Sequence, residues 1–452
     1  MATLDLNFSN VGSKIKVLNA MNNGPTAQTV RGITNFEYYK ELEIPYARNH
    51  DASFYTGFGG EHTVDVHRIF KNFDADENDP KNYVFAPTDK YVKNTYSAGT
   101  KMFYRLGASI EHGYKFATYP PKDFAKWARI CEHIVRHYTE GWADGFHYDM
   151  EYWEIWNEPD CFQPDGSNPC WQGTTEEFID LYEVTSKHLK ACFPHLKIGG
   201  PAFCVSIFDE KDESDYRLCF LKAVKERGMP LDFYSFHGYL KDINFIFELS
   251  TAAMKSLEIA GLEKPELILN EWNYIREWTG DQYRYTMQKI REIKGASINV
   301  GVMCAAQACD IDMLMYYDAR PCVFNGLFDL YTHAPQKPYY GYYLFREIPR
   351  LGTHVITEPV VDDIWSIAAT DGKNGALMLT HYNDSDEIPS KDLTVNISNA
   401  LRGDNGTRVE YYLLDEDHNG ELVREEIFSS DEFKLHLRMN LFDTYLIRFY
   451  AI

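Results

Sequence analysis

At 452 residues the chain is about three times the ~150 residues of a common domain, so a single small module is excluded. Its 44% hydrophobic and 25% charged content is ordinary for a globular protein, and a chain this long buries a large core without staples. A net charge of −22, from 45 Lys+Arg against 67 Asp+Glu, argues against nucleic acid and anionic membrane surfaces as partners, and no apolar run reaches the ~18–20 residues that span a bilayer.

The first segment, LDLNFSNVGSKIK, reads as a strand. From residue 18 to 348, short β-like runs alternate with amphipathic helical stretches, which predicts parallel βα units. Strand ends fall near Asn22, His50, Ser109, Glu158, Ala202, Tyr239, Tyr274 and Ala306, the last closing the run INVGVMCAA. Apolar residues recur every three or four positions over 123–138, 174–192, 216–227 and 282–294, which predicts helices there. Eight such units in roughly 300 residues fit a (β/α)8 TIM barrel better than an open doubly wound sheet. The segment LNAMNNGP after the first strand is no dinucleotide-binding fingerprint.

After about Leu351 the helical pattern stops. IWSIAAT, GALMLTHYN, LTVNISN, RVEYYLLDED, FKLHLRM and TYLIRFYAI alternate as strands, with turn signals DGKNG, RGDNG and DHNG between several of them. An antiparallel β-sandwich of about 100 residues is expected. The predicted organisation is a catalytic barrel over 18–348 and a β-sandwich over 349–452, to which residues 1–17 add an edge strand.

Nine cysteines form no CxxC pair, which favours reduced thiols. Cys161 and Cys170 share the loop CFQPDGSNPC, where a small disulfide is the alternative. MATLDLNFSN has neither a basic nor an apolar leader region, so a cytoplasmic location is expected. Nothing in the sequence sets an oligomeric state.

Two strand ends carry the chemistry. Trp153-Glu154-Ile155-Trp156-Asn157-Glu158-Pro159 runs a hydrophobic strand into a proline that cannot continue the ladder, which leaves Glu158 at the carboxyl end of the fourth barrel strand. Leu267-Ile268-Leu269-Asn270-Glu271-Trp272-Asn273 does the same for Glu271 on the seventh. That end of a barrel is where its active site forms. Two carboxylates over one mouth suit glycosidic bond cleavage, one ionised to attack the anomeric carbon and one protonated to release the leaving oxygen. A lone strand-end glutamate is commonly a solvated loop residue; the pair is what points to catalysis.

Trp156-Asn157-Glu158-Pro159 and Asn270-Glu271-Trp272-Asn273 resemble the acid/base and nucleophile motifs of clan A glycoside hydrolases. Within the clan the chain most resembles glycoside hydrolase family 39, that of β-xylosidases and α-L-iduronidases. Tyr46-Ala47-Arg48-Asn49-His50, Leu196-Lys197-Ile198-Gly199-Gly200-Pro201 and Asp232-Phe233-Tyr234-Ser235-Phe236-His237-Gly238-Tyr239 support the likeness, which spans most of 18–345. The resemblance implies a retaining hydrolase with Glu271 as nucleophile and Glu158 as acid/base. It implies that Asn157 binds the sugar 2-hydroxyl. Arg48 and Tyr239 are candidates to hold Glu271 ionised, His50 and His237 to bind sugar hydroxyls, and Trp272 to floor the pocket. No cofactor and no metal is called for; the expected partner is a small glycoside or oligosaccharide. The resemblance does not fix the sugar, and Arg276, Lys241 and Arg320 are the cations an iduronate carboxylate would need.

Lesser candidates are Glu111 and His112 after the third strand, and Tyr316, Tyr317 and Asp318 after the eighth. His133 and His137 have helical metal spacing but lack the glutamate of the zinc-protease motif, so a solvated helix face is the preferred reading. The run from Asp74 to Asp79 reads as an acidic turn. Two further readings stay open: a non-catalytic carbohydrate-binding protein on the same fold, and a transglycosylase.

Overall fold

The structure, a computed structural model, describes residues 2–26, 32–50, 63–111, 113–204, 212 and 214–452. After β1 (Ala2–Lys14), eight parallel strands close into a barrel in chain order: β2 (Val17–Asn22), β3 (Tyr46–Arg48), β4 (Lys101–Leu106), β5 (Tyr152–Ile155), β6 (Lys197–Phe203), β7 (Phe233–Leu240), β8 (Glu266–Tyr274) and β9 (Met313–Tyr316). Helices cover the outside. Two of them start on side-chain caps legible in sequence, Asp123 for the helix Phe124–Thr139 and a Thr174/Glu177 capping box for Thr175–Cys192.

Seven of the eight predicted barrel strands are found where expected. The eighth is not: INVGVMCAA lies within the helix Ile293–Ala306, and the closing strand is β9. Every residue of that helix is buried, because it packs on the barrel inside and on β11 and β12 of the second sheet outside. A helix wetted on no side has no amphipathic period, so its sequence imitates a buried strand.

The remaining strands are β10 (Thr353–Glu358), β11 (Ile364–Thr370), β12 (Asn374–His381), β13 (Lys391–Ser398), β14 (Thr407–Leu414), β15 (Asn419–Phe428), β16 (Phe433–Met439) and β17 (Thr444–Ala451). With β1 they form one hydrogen-bonded sheet ordered β15-β14-β17-β12-β11-β10-β1-β13-β16, antiparallel except for β1 beside β13. The sheet doubles over. Phe428 and Phe433, on the strands at its two opposite edges, stack at 3.9 Å, and Leu6, Val355, Leu379, Val409, Leu435 and Phe449 share one core. The N-terminal segment is an inner strand, not the edge strand expected of it. β15 escapes a sequence reading because its solvent-facing row VREE shows no alternation.

The two layers are locked to each other by polar contacts. Arg276 Nε donates to Asp384 at 2.9 Å, Tyr274 donates to the same carboxylate at 2.7 Å, and Ser297 and Thr380 share a 2.8 Å hydrogen bond. Among the described residues no helix is long and apolar enough to cross a membrane.

Inside the barrel, side chains alternate by the pleat and stack in layers. The lowest layer is apolar: Phe103, Tyr152, Phe233, Ile268 and Met313. Two residues further along the same strands the layer turns polar, and two further again lies the mouth.

Candidate active site

Arg48 centres the polar layer with no solvent exposure. Its Nε donates to Glu154 Oε2 at 2.6 Å, its Nη1 to Asn22 at 3.1 Å and to Glu271 Oε1 at 2.9 Å, and its Nη2 to Asn157 Oδ1 at 2.6 Å. Glu154 accepts in addition from Ser235 Oγ at 2.6 Å and Asn270 Nδ2 at 2.5 Å. A buried guanidinium is thus matched by two buried carboxylates and oriented by amides, the only terms on which such charges are tolerable away from water.

Glu271 reaches this network through an irregularity. The β7–β8 register slips between Phe236 and His237, so that Asn270 is the extra residue of a bulge. Asn270 and Glu271 therefore both turn inward, where strict alternation would send Glu271 out. Besides Arg48, Glu271 accepts from Tyr239 OH at 3.0 Å and lies 3.0 Å from His50 Nε2 and 3.4 Å from His237 Nδ1. Burial alone would raise its pKa, but the His237 and His50 imidazoles and then the Arg48 guanidinium outweigh it and hold Glu271 well below the ordinary glutamate range.

Glu158 arrives by a different device. β5 ends at Ile155, and Trp156 and Glu158 both take left-handed backbone, φ 74° and 48°. Left-handed backbone is costly for such residues, and here it is held by hydrogen bonds from Trp156 N to Leu106 O at 2.7 Å and from Glu158 N to Ala202 O at 3.0 Å. Gly107 makes the turn feasible, since a Cβ there would lie 3.1 Å from the Trp156 backbone. The Glu158 carboxylate meets His237 Nδ1 at 2.7 Å and accepts from the Cys170 thiol at 3.6 Å. One oxygen of Glu158, one of Glu271 and a ring nitrogen of His237 all lie within 4.8 Å of one another.

Five of the predicted residues, Arg48, His50, Asn157, His237 and Tyr239, thus gather around the carboxylates of Glu158 and Glu271. Asn157 Nδ2 and His237 Nε2 are buried and without a partner among the described residues. Trp272 is the correction. Having followed the bulge, it points away from the mouth, has no exposure and packs edge-on against Tyr316 at 5.4 Å. The aromatic wall of the mouth is built instead from Tyr239, Tyr317, Phe324 and Trp278. Tyr317 lies edge-on to His50 at 5.2 Å, and Trp278, 56% exposed, packs against Tyr239 at 4.9 Å.

Other expectations resolve locally. Glu111 accepts from the backbone of Phe116 and Thr118 and staples its own loop. Asp318 is buried and accepts from Asn23 at 3.0 Å, while Tyr316 joins the core behind Trp272. His137 is held by Asp89 at 2.9 Å and His133 by the Arg129 carbonyl at 2.8 Å, so they form no metal pair. Glu77 in the acidic run is paired with Arg129 at 2.7 Å. Cys161 and Cys170 are free thiols, so the loop disulfide is not formed. His112 and the segment Asp51-Ala52-Ser53-Phe54 lie outside the described residues.

Sequence reasoning misses Glu154, Asn22, Asn270 and Trp278. Glu154 is within its reach, since it stands four residues before Glu158 on one strand and shares the inward parity of Tyr152. Asn270 is not, because only the bulge brings two consecutive residues inward.

The profile of Glycosyl hydrolases family 39 matches residues 59–266. A beta-xylosidase of Geobacillus stearothermophilus is 29% identical over 183 residues, covering 38% of this chain and 33% of that protein. A beta-xylosidase of Caldicellulosiruptor saccharolyticus is 26% identical over 226 residues, covering 47% of this chain and 41% of that protein. The matches thus span a third to two-fifths of the length of these curated relatives. The crystal structure of a glucosidase from Croceicoccus marinus shares the fold with a TM-score of 0.81 at 20% identity, over 100% of this chain and 99% of that one. A closed (β/α)8 barrel with a second, mostly antiparallel sheet is the architecture of this chain, and its fold is shared with that solved structure. In sequence the chain is similar to glycoside hydrolase family 39, and the matched segment includes the Glu158 motif.

Proposed function

We propose that the protein is a retaining glycoside hydrolase that releases a neutral, xylose-like sugar by double displacement. The observation that carries this is the approach of Glu158 and Glu271 to within 4.8 Å, oxygen to oxygen. Carboxyl groups about 5–5.5 Å apart suit direct attack on the sugar, whereas inverting enzymes need about 6.5–9.5 Å to admit a water.

Glu271, held ionised by the Arg48 guanidinium and its hydrogen-bond donors, attacks the anomeric carbon. Glu158 gives its proton to the departing oxygen, and the bond between sugar and leaving group breaks as the glycosyl–Glu271 ester forms. Glu158, now a carboxylate, takes a proton from water, and that water displaces Glu271 with a second inversion. His237 stands between the two carboxylates and can hydrogen-bond to whichever of them carries the charge. The unpartnered Asn157 amide is the donor for the sugar 2-hydroxyl. A neutral sugar is supported by Arg276, which is held by Asp384 and so is not offered to a substrate carboxylate. The xylose-like ring rests on likeness to the two beta-xylosidases.

A panel of aryl glycosides identifies the sugar. On the best of them, Glu271→Ala and Glu158→Ala should each lose about 10²–10⁴-fold in rate. Azide should rescue Glu271→Ala as a glycosyl azide of inverted configuration. Wild-type rates from both variants would sink the proposal.

A further inference from the structure

Beside the carboxylate pair lies a group of side chains the hydrolytic mechanism does not use. Cys161 and Cys204 place their sulfurs and a Glu158 oxygen all within 4.8 Å of one another. The Cys170 sulfur stands 3.6 Å from Glu158 Oε2. Cys161 and Cys170 share one loop and Cys204 follows β6, and the backbone N–H of each is held: Cys161 N donates to Glu158 O at 3.2 Å, Cys170 N to Asn168 Oδ1 at 2.8 Å, and Cys204 N to Asp160 Oδ1 at 2.8 Å.

We infer that Cys161, Cys204 and Glu158, with Cys170 beside the carboxylate as the candidate fourth ligand, form a site for a thiophilic divalent cation, zinc in the first place, whose binding takes the acid/base carboxylate out of action. Zinc bonds of about 2.3 Å to sulfur and 2.0–2.2 Å to oxygen set tetrahedral edges of about 3.8 Å between sulfurs and about 3.5 Å between sulfur and oxygen. The observed 3.6 Å between Cys170 and Glu158 is already such an edge. Three soft thiolates with one carboxylate select zinc over magnesium or calcium, which want oxygen. His237, bonded to the other Glu158 oxygen, is placed to orient the ligating carboxylate. With the metal bound, Glu158 has no proton to give and cannot activate water; the protons of the ligating thiols and of the Glu158 carboxyl are released to solvent.

Loss of hydrolysis on metal binding rests on the function proposed above; the site itself does not. The test is a Co2+ titration of the reduced, metal-stripped full chain, followed by zinc displacement. One cobalt per chain should bind with a thiolate-to-cobalt charge-transfer band in the near ultraviolet, and zinc should abolish the band. The Cys161→Ser/Cys204→Ser variant should lose it; Cys204→Ala alone, at a half-buried position, serves if the double variant unfolds. In parallel, one equivalent of zinc should slow aryl-glycoside hydrolysis by the unsubstituted chain about tenfold or more. A chelator should restore the rate, and zinc should leave the variant at its own metal-free rate. Absence of the band in the reduced chain, or its persistence in the variants, overturns the site. A normal band with unslowed hydrolysis overturns the masking of Glu158. If no glycoside is hydrolysed, the cobalt spectrum still decides the site, and only the proposed function falls.

Discussion

Arg48→Lys retains the positive charge while removing the fork, and so isolates what geometry contributes. The guanidinium serves Glu154, Asn22, Glu271 and Asn157 at once, at distances between 2.6 and 3.1 Å. An ammonium on a shorter stem has three donors around one atom and cannot span two carboxylates on strands β5 and β8. It will settle on Glu154, which Ser235 and Asn270 hold in place, and leave Glu271. A hydrogen bond to a charged group is worth about 1.5–3 kcal/mol. Losing the one to Glu271 predicts a fall in kcat/KM of about 10- to 150-fold. Because the proposed mechanism has Glu271 react in the covalent step, the fall should be in kcat, with KM changed by less than about threefold. Steady-state kinetics on the best aryl glycoside measures both, and circular dichroism checks that the variant is folded. Activity within about threefold of the parent would refute the claim that the Arg48 fork sets the state of Glu271.

Trp272→Ala should cost about 3–5 kcal/mol of stability in urea unfolding through the core cavity it leaves, with KM of the surviving folded protein little changed. Trp278→Ala should do the opposite, raising KM by about three- to tenfold with an unchanged unfolding midpoint. The depressed pKa of Glu271 makes a signed prediction about pH. Its stabilising contribution is complete above the ordinary glutamate value of about 4.3 and is lost as pH falls below it toward the folded value. The stability difference between the parent and Glu271→Gln, from urea titrations, should therefore shrink as pH falls below ~4; a difference that grew below pH ~4 would contradict the depressed pKa.

Most of the barrel is legible in the sequence because its strands end in residues that can do little else there. The run Tyr152-Trp153-Glu154-Ile155 leads to Glu158 at the barrel mouth, and the apolar run Leu267-Ile268-Leu269 delivers Glu271 to the same end. Where the pattern misleads, the cause is environment that one dimension does not carry. The helix Ile293–Ala306 is buried on every side by a second layer contributed from residues far along the chain. Trp272 belongs to the pocket on the strength of its neighbour alone, and the bulge at Asn270 sends it to the core. The thiol cluster joins Cys161 and Cys170, from the loop after β5, to Cys204 just past β6, and no spacing rule connects Cys204 to the other two.

The central claim is that sugar is carried on Glu271 between two displacements, and the configuration of the first-formed product reads this directly. Proton NMR of the unsubstituted chain acting on the best aryl glycoside, recorded before mutarotation, should show the anomer of the substrate. Initial release of the opposite anomer would mean a single displacement by water, with Glu271 no longer the nucleophile and Glu158 no longer alternating between acid and base.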